Sequence, residues 1–199
     1  MKFSFLAILI ISITGFISLD NIQLNVGDKA PNFEGVNQAG DTVSLTTMLA
    51  EGPIVLTFYR GEWCPYCNNY LSELDENYTE MKKLGANLVA ISPELPEYIN
   101  QMAEKMEHPY SIISGGTSIM QQYGLDFQLA EKTINKYKIF GINLSKSNGN
   151  EDNTLPVPAT YVIDKKGTIV YKHFDENYKV RADVKEILSA LESLNKIKE

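Results

Sequence analysis

The chain has 199 residues, 44% hydrophobic and 22% charged, which suits one globular domain with a sizeable core. Its formal net charge is −7, and arginine occurs only at Arg60 and Arg181. With no basic run or face, nucleic acid is a poor candidate partner, and the acidity reads mainly as solubility.

The N-terminal stretch MKFSFLAILIISITGFISLD carries one lysine and then an apolar run from Phe3 to Leu19. That pattern reads as a secretory signal with a short basic start, and it is a little short for a membrane-spanning helix. Gly15 or Ser18 supplies a small residue before a cut, but Ile13 or Phe16 then fills the second position where a small residue is preferred. A cleaved signal and an uncleaved anchor therefore both stay open for residues 1–20. Either one implies export to a periplasmic or other extracytoplasmic space, where disulfides are permitted. A buried N-terminal strand or helix is the competing reading, and the run lacks the polar alternation of a half-buried element. No cysteine follows the run, which excludes a lipid-modified cysteine there.

From Leu24 onward the pattern is that of a folded domain, expected over residues 24–199. A capped lead-in precedes a small β-hairpin turning at Ala39–Gly40–Asp41, and Ser44 or Thr46 caps a short helix through Leu49. PIVLTFY, Pro53–Tyr59, is a continuous apolar run, as expected of a central strand buried on both faces. From Pro65 to Leu84 the apolar residues Tyr70, Leu71, Leu74, Tyr78, Met81 and Leu84 fall at helical steps. Lys82, Lys83 and Gly85 mark the end of this helix.

Asn87–Ser92 reads as a second buried strand, Pro96–Met106 as a helix and Tyr110–Ser114 as a short strand. Two more helices are predicted over SIMQQYG and LAEKTINKYKIF. The polar, turn-rich stretch Asn143–Pro156 reads as an exposed loop. ATYVID and TIVYKHF are strands joined by the KKG turn, and Val180–Leu194 is a final amphipathic helix. No internal repeat or inter-domain linker is evident. The order βαβα, then a β-hairpin and a helix, implies one α/β layer fold whose first strands pair in parallel.

The chemistry is concentrated in FYRGEWCPYCNNYLSEL, which holds both cysteines of the chain, Cys64 and Cys67. They lie where a strand runs into a helix. The free N–H groups of that first helical turn stabilise a negative sulfur, and C-x-x-C motifs in this position have acidic thiols. Pro65 suits the first helical position. Three-residue spacing puts the sulfurs close enough to bridge, so the pair can carry two electrons by thiol–disulfide exchange. Trp63 is placed to cover them.

A purely structural bridge is a weak alternative, because its loop would be too short to restrain the unfolded chain much. A zinc site would need about four ligands, and beyond the cysteines the chain offers only His108 and His173, in no usual spacing. No metal and no cofactor is expected. A redox-sensing binding module would keep the cysteines but needs no thiolate-stabilising helix start.

VGDKAPNF, the strand into FYRGEWCPYC, and PVPATYVIDKKGTIVYKHF with the following YKVRADVKEIL together resemble the peroxiredoxin-like group of the alkyl hydroperoxide reductase/thiol-specific antioxidant family. The resemblance runs from Leu24 to Leu191. It implies a thioredoxin-like fold, a central mixed sheet flanked by helices, here with the N-terminal β-hairpin as an extension. It also implies an antioxidant enzyme that reduces hydroperoxides with electrons from a thioredoxin-like donor.

The departures from the family pattern are specific. Of the usual Pro-x-x-x-Thr-x-x-Cys, the Cys falls on Cys67, the Thr on Cys64 and the Pro on Arg60. The family's arginine before the late strand is replaced by Pro158, which is similar to the cis-proline of thioredoxins. Arg60 is a candidate for the missing positive charge, with a solvated loop arginine as the competing reading, and Arg181 is a weaker candidate. Glu62 is a candidate proton relay or a plain exposed carboxylate. The first strand lacks the buried acid of thioredoxins, so proton transfer must run through water or another group. A thiol–disulfide oxidoreductase acting on protein disulfides stays open beside the peroxidase. For such substrates Cys64 is the expected nucleophile, with its sulfur facing outward; for peroxide, Cys67 also stays open.

Overall fold

The structure, a computed structural model, describes residues 24–196 except 109, 150 and 152. The apolar run read as a signal or anchor lies outside the described residues. The chain opens with the hairpin of β1 (Glu34–Val36) and β2 (Thr42–Ser44). Its turn falls where the sequence places it. Asn37 Oδ1 accepts from the amides of Ala39 and Asp41 at 3.0 and 2.9 Å, and Gly40 takes φ +85°, a region that suits glycine. Ser44 then caps α1 (Leu45–Glu51), its hydroxyl accepting from the Thr47 amide at 3.2 Å.

There follow β3 (Ile54–Phe58), α2 (Pro65–Glu76), α3 (Tyr78–Lys83), β4 (Asn87–Ile91), α4 (Pro96–Ala103) and β5 (Ser111–Ile113). The second half holds α5 (Thr117–Gln122), β6 (Asp126–Gln128), α6 (Glu131–Ile139), α7 (Leu144–Asn148), β7 (Thr154–Pro156), β8 (Ala159–Ile163), β9 (Ile169–Phe174) and α8 (Val184–Lys196).

The central sheet has the order β5-β4-β3-β8-β9. β3, β4 and β5 run parallel, as expected from the right-handed crossovers, and β8 and β9 are antiparallel to their neighbours. Side chains alternate across β3. Val55 and Tyr59 face the layer of α2, α3, α4 and α8, whereas Ile54, Leu56 and Phe58 face the layer of α1 and α5. Both layers are closed cores, which is why β3 reads as an unbroken apolar run. Leu71 and Leu74 seat α2 on the first of them and are fully buried. Cutting either to alanine would cost about 2–5 kcal/mol and loosen the seat of the thiol pair.

Three stretches differ from their sequence pattern. The single helix expected over Pro65–Leu84 is broken at Asn77, whose φ/ψ of −98°/2° leaves the helical region. Its side-chain amide donates to the Glu73 carbonyl at 2.9 Å, the kind of local bond by which Asn competes with helix. Next, Asn143–Pro156 is not a plain exposed loop. Asn143 caps α7 by accepting from Lys146 at 3.1 Å, and Leu144, Ser147 and Asn148 are buried. β7 is buried too and pairs with β6, an element its polar sequence hid. Third, α8 begins at Val184 and not Val180, because the Asp183 carboxylate accepts the Lys185 amide at 2.8 Å and starts the helix there. Residues 180–182 stay outside the helix as a consequence, and this brings Arg181 to the sulfurs.

Candidate active site

β3 ends at Phe58, but the Tyr59 amide still donates to the Ile91 carbonyl at 3.0 Å and keeps the chain beside β4. The backbone then turns at Gly61, φ +151°. A Cβ there would meet Trp63 Nε1 at 2.3 Å and Glu94 Oε1 at 2.7 Å, so only glycine fits. The Cys64 amide donates to the Gly61 carbonyl at 3.1 Å, and Cys64 becomes the N-cap of α2, with Pro65 opening the helix. Its carbonyl accepts from the Cys67 and Asn68 amides at 2.9 and 3.1 Å. Cys64 thus sits at the electropositive end of the helix and Cys67 one turn in, as the spacing requires.

Both sulfurs are free thiols. Cys64 is only 1% exposed, so the outward-facing sulfur expected from sequence is not found. The physical reason is the cover above it: half-buried Trp63 packs on the cluster that contains both cysteines.

Arg60 is 2% exposed, which rules out a solvated loop residue. Its guanidinium lies 4.2 Å from the Tyr178 ring centre, 5.1 Å from Trp63 and 5.7 Å from Tyr137, and it hydrogen-bonds the Tyr137 hydroxyl. Among the described residues no carboxylate pairs with it, and its Nε has no partner. Arg181 Nη2 donates to Cys67 Sγ at 3.3 Å, and its Nε is likewise without a partner among the described residues. Arginine cannot shed its proton, so two positive charges are held beside the thiols with aromatic faces as their chief cover. The natural counter-charge is a thiolate.

The two thiols respond oppositely. Cys64 is drawn down to about 6, first by the Cys67 thiol donating to it, then by the Cys67 amide, Arg60 and Arg181, against the opposing effect of burial. Burial pushes Cys67 well up, and the Cys64 charge adds to that. Near neutral pH the pair is therefore a Cys64 thiolate held by a Cys67 thiol.

Pro158 is buried just before β8, beside the end of β3, where Phe58 pairs with Ala159. The expected cis bond is absent: the Val157–Pro158 peptide is trans. Val157 donates its amide to the Leu125 carbonyl at 2.7 Å, and trans is the ordinary preference of an X–Pro bond. Glu62 is not a free relay. It pairs with Lys105 across the loop. His108 bonds Asp75 away from the sulfurs, and among the described residues no three His, Cys, Asp or Glu side chains gather as a metal site.

Sequence reasoning missed Tyr137, Tyr178 and Glu94. The aromatics sit far along the chain, and Tyr137 lies on α6, a helix with no buried residue. Glu94 reads as one more loop acid in SPELPEY, yet it is 0% exposed. Its Oε2 accepts from the Glu62 amide at 2.8 Å and from Ser92 Oγ at 3.4 Å. Burial, then the neighbouring Glu62 carboxylate and Cys64, push its carboxyl up to about 7. The buried acid absent from the first strand is thus supplied from the end of the second.

A strand that feeds an acidic thiol and its protonated partner at a helix start, on a five-stranded mixed sheet, defines a thiol-redox protein of thioredoxin-like fold. Residues 26–172 match the AhpC/TSA family. Among curated proteins the chain is 29% identical to chloroplastic peroxiredoxin Q of Populus jackii, over 86% of this chain and 70% of the relative. It is 30% identical to chloroplastic peroxiredoxin Q of Gentiana triflora, over 79% and 66%. In fold it resembles the peroxidoxin BcpB of Mycobacterium tuberculosis, with a TM-score of 0.68 at 22% identity, covering 86% of this chain and 99% of the other. A peroxiredoxin-like protein from Aquifex aeolicus gives a TM-score of 0.65 at 17% identity, covering 86% and 88%. The chain belongs to the AhpC/TSA family. With that family, it is a thiol-dependent oxidoreductase of the antioxidant, peroxiredoxin type.

Proposed function

We propose that the chain reduces hydroperoxides with Cys64 as the attacking sulfur and Cys67 as its resolving partner. The observation that carries this assignment is the pairing of a thiolate-stabilised Cys64 with a protonated, deeper Cys67 under two arginines. The Cys64 thiolate attacks the terminal peroxide oxygen. An S–O bond forms, the O–O bond breaks, and the alkoxide leaves as an alcohol after taking one proton. Cys67 sulfur then attacks Cys64 sulfur: S–S forms, S–O breaks, and the hydroxide departs as water with the Cys67 proton. A thioredoxin-like dithiol restores both thiols by exchange and is itself oxidised to a disulfide.

Burial also sets access to Cys64. A sulfur 1% exposed is reached directly by a small peroxide, whereas exchange with a folded protein, the thioredoxin-like donor included, needs the Trp63 cover to move aside. Turnover of peroxide would exclude a mere redox-sensing module.

The test uses Cys64→Ser and Cys67→Ser, each treated with peroxide and with a mixed disulfide. Cys67→Ser should accumulate a sulfenic acid for want of a resolving thiol, and Cys64→Ser should stay unreactive, with turnover reduced at least ~10³-fold. Sulfenic acid in Cys64→Ser and none in Cys67→Ser would reverse the assignment.

The apolar run Phe3–Leu19 supports an exported site of action, with residues 1–20 as signal or membrane anchor. A reporter fused after Asn21 should be found outside the cytoplasm. A soluble, cytoplasmic fusion that keeps Met1 would overturn this part of the reading.

A further inference from the structure

The end of β4 and the loop before α2 bring two buried polar atoms together, Trp63 Nε1 and Glu94 Oε1. Neither has a hydrogen-bond partner among the described residues. The Trp63 and Glu94 atoms are within 2.3 and 2.7 Å of the same point, the position of a Cβ on Gly61, so they are near neighbours. A buried carboxyl oxygen left without a partner is costly as an anion and far less so as an acid. Polar groups left unpaired in a core call for an explanation, and here they adjoin the reactive sulfurs.

We infer that Glu94 is the proton-holding residue of the thiol pair: protonated while Cys64 is a thiolate, and ionised once Cys64 and Cys67 are joined. This rests on the peroxidase reading above and deepens it. The proton balance of that reaction asks for such a group. Attack by a thiolate on a hydroperoxide consumes one proton at the leaving oxygen. Reduction of the disulfide back to a thiolate and a thiol returns it.

Glu94 is placed so that its own affinity changes in step. The groups facing it are Tyr59, Ser92, Glu62 and Cys64, with Glu62 itself paired to Lys105. Of these, only Cys64 changes charge during the cycle. The Cys64 negative charge helps keep the Glu94 proton on. When the thiolate is consumed, that repulsion ends and the carboxyl becomes a stronger acid, at the moment the leaving alkoxide needs a proton. With a carboxyl pushed up to about 7, the transfer is poised near neutral pH in both directions. The sequence places no acid in β3, and Glu94 reaches the loop from the neighbouring strand end, its Oε2 anchored on the Glu62 amide at 2.8 Å.

The experiment has two arms on the full-length protein. In the first, infrared difference spectra are recorded between the reduced form and the form oxidised by an azo-type thiol oxidant, so no peroxide is needed. Wild type should lose a protonated-carboxyl band on oxidation, and Glu94→Gln should lack that band. A wild-type spectrum without this change overturns the inference.

In the second arm, the peroxide oxidation rate is followed against pH. Wild type should rise through about pH 6 as Cys64 ionises and fall again through about pH 7 as Glu94 loses its proton. Glu94→Gln, isosteric and able to keep the Glu62 bond, should lose the falling limb, and its maximum should drop ~10²-fold, the lower end of what an acid in this role supplies. Glu94→Asp should regain a falling limb. A uniform drop that keeps the wild-type profile marks a merely structural side chain and overturns the inference. If wild type is not oxidised by peroxide at any pH, the peroxidase reading fails, while the infrared arm still decides the Glu94 proton.

Discussion

Two buried groups wall the thiol pair and manage charge in opposite ways. Arg60, cased by Trp63, Tyr137 and Tyr178, carries a charge it cannot give up. Glu94, just past the end of β4, is equally buried but escapes its charge by keeping a proton. Both groups are expensive to bury ionised. The difference is that arginine must find a negative neighbour, and the Cys64 thiolate is one within its influence, whereas a carboxyl can neutralise itself. One wall therefore helps the Cys67 hydrogen bonds to hold the nucleophile as a thiolate, and the other stores its proton. A carboxylate in place of the aromatic casing would pair with Arg60 and take its contribution from the thiolate.

The contrast has opposite consequences for stability against pH. Cys64 has its acidity raised in the folded state, so its contribution to reduced-state stability appears as pH rises above about 6 and grows towards the ordinary thiol range. Glu94 has its acidity lowered from an ordinary 4.5 to about 7. Below pH 4.5 it is protonated in both states. Between 4.5 and 7 the unfolded chain ionises first, so this group lowers stability as pH rises through that window.

Among its charged neighbours, the Cys64 thiol responds most to the basic wall. Arg60→Met keeps the aliphatic stem and removes the charge, so the Cys64 thiol should titrate about one unit higher, with thiolate and peroxide rate at pH 6 down ~5-fold. Thiolate absorbance against pH gives the titration directly. An unchanged titration would show that the helix start and the Cys67 thiol suffice without Arg60.

An effect of opposite sign, on stability rather than on the thiolate, is expected from the acid wall. Glu94→Gln should stabilise the fold by about 1–3 kcal/mol at pH 8 and by nothing at pH 4. Denaturant unfolding at the two pH values reads the difference, and an equal change at both would attribute it to packing. The smallest effect sharpens the first wall. Tyr137→Phe keeps the ring over Arg60 but removes the hydroxyl that its guanidinium bonds, at a cost of about 0.5–1.5 kcal/mol. α6 has no buried residue, so Tyr137 is one of its few ties to the site. Hydrogen exchange of the α6 amides should speed up in this variant, with the amides of β3 and β4 unchanged.

The sequence by itself determined the strand-to-helix placement of Cys64 and Cys67, the parallel start of the sheet, the hairpin at Gly40 and the cap at Ser44. Each depends on residues close together in the chain, where periodicity, turn chemistry and spacing act directly. It also pointed to Arg60 and Arg181 as the available guanidinium groups, because the chain has no other arginine.

Tertiary structure alone decided what those charges do. Whether Arg60 is solvated or buried depends on Tyr137 and Tyr178, far along the chain, closing over it. Arg181 reaches Cys67 because Asp183 delays α8. Asn77 divides a pattern that is helical on both sides, and the polar stretch before β8 hides α7 and β7 because its buried face is short. Glu94 was beyond sequence reading altogether. An acid in a loop is ordinarily solvated, and only the meeting of two strand ends with the Gly61 turn takes the water from it. Burial of a charged group is a property of everything packed around it, and no local pattern carries it.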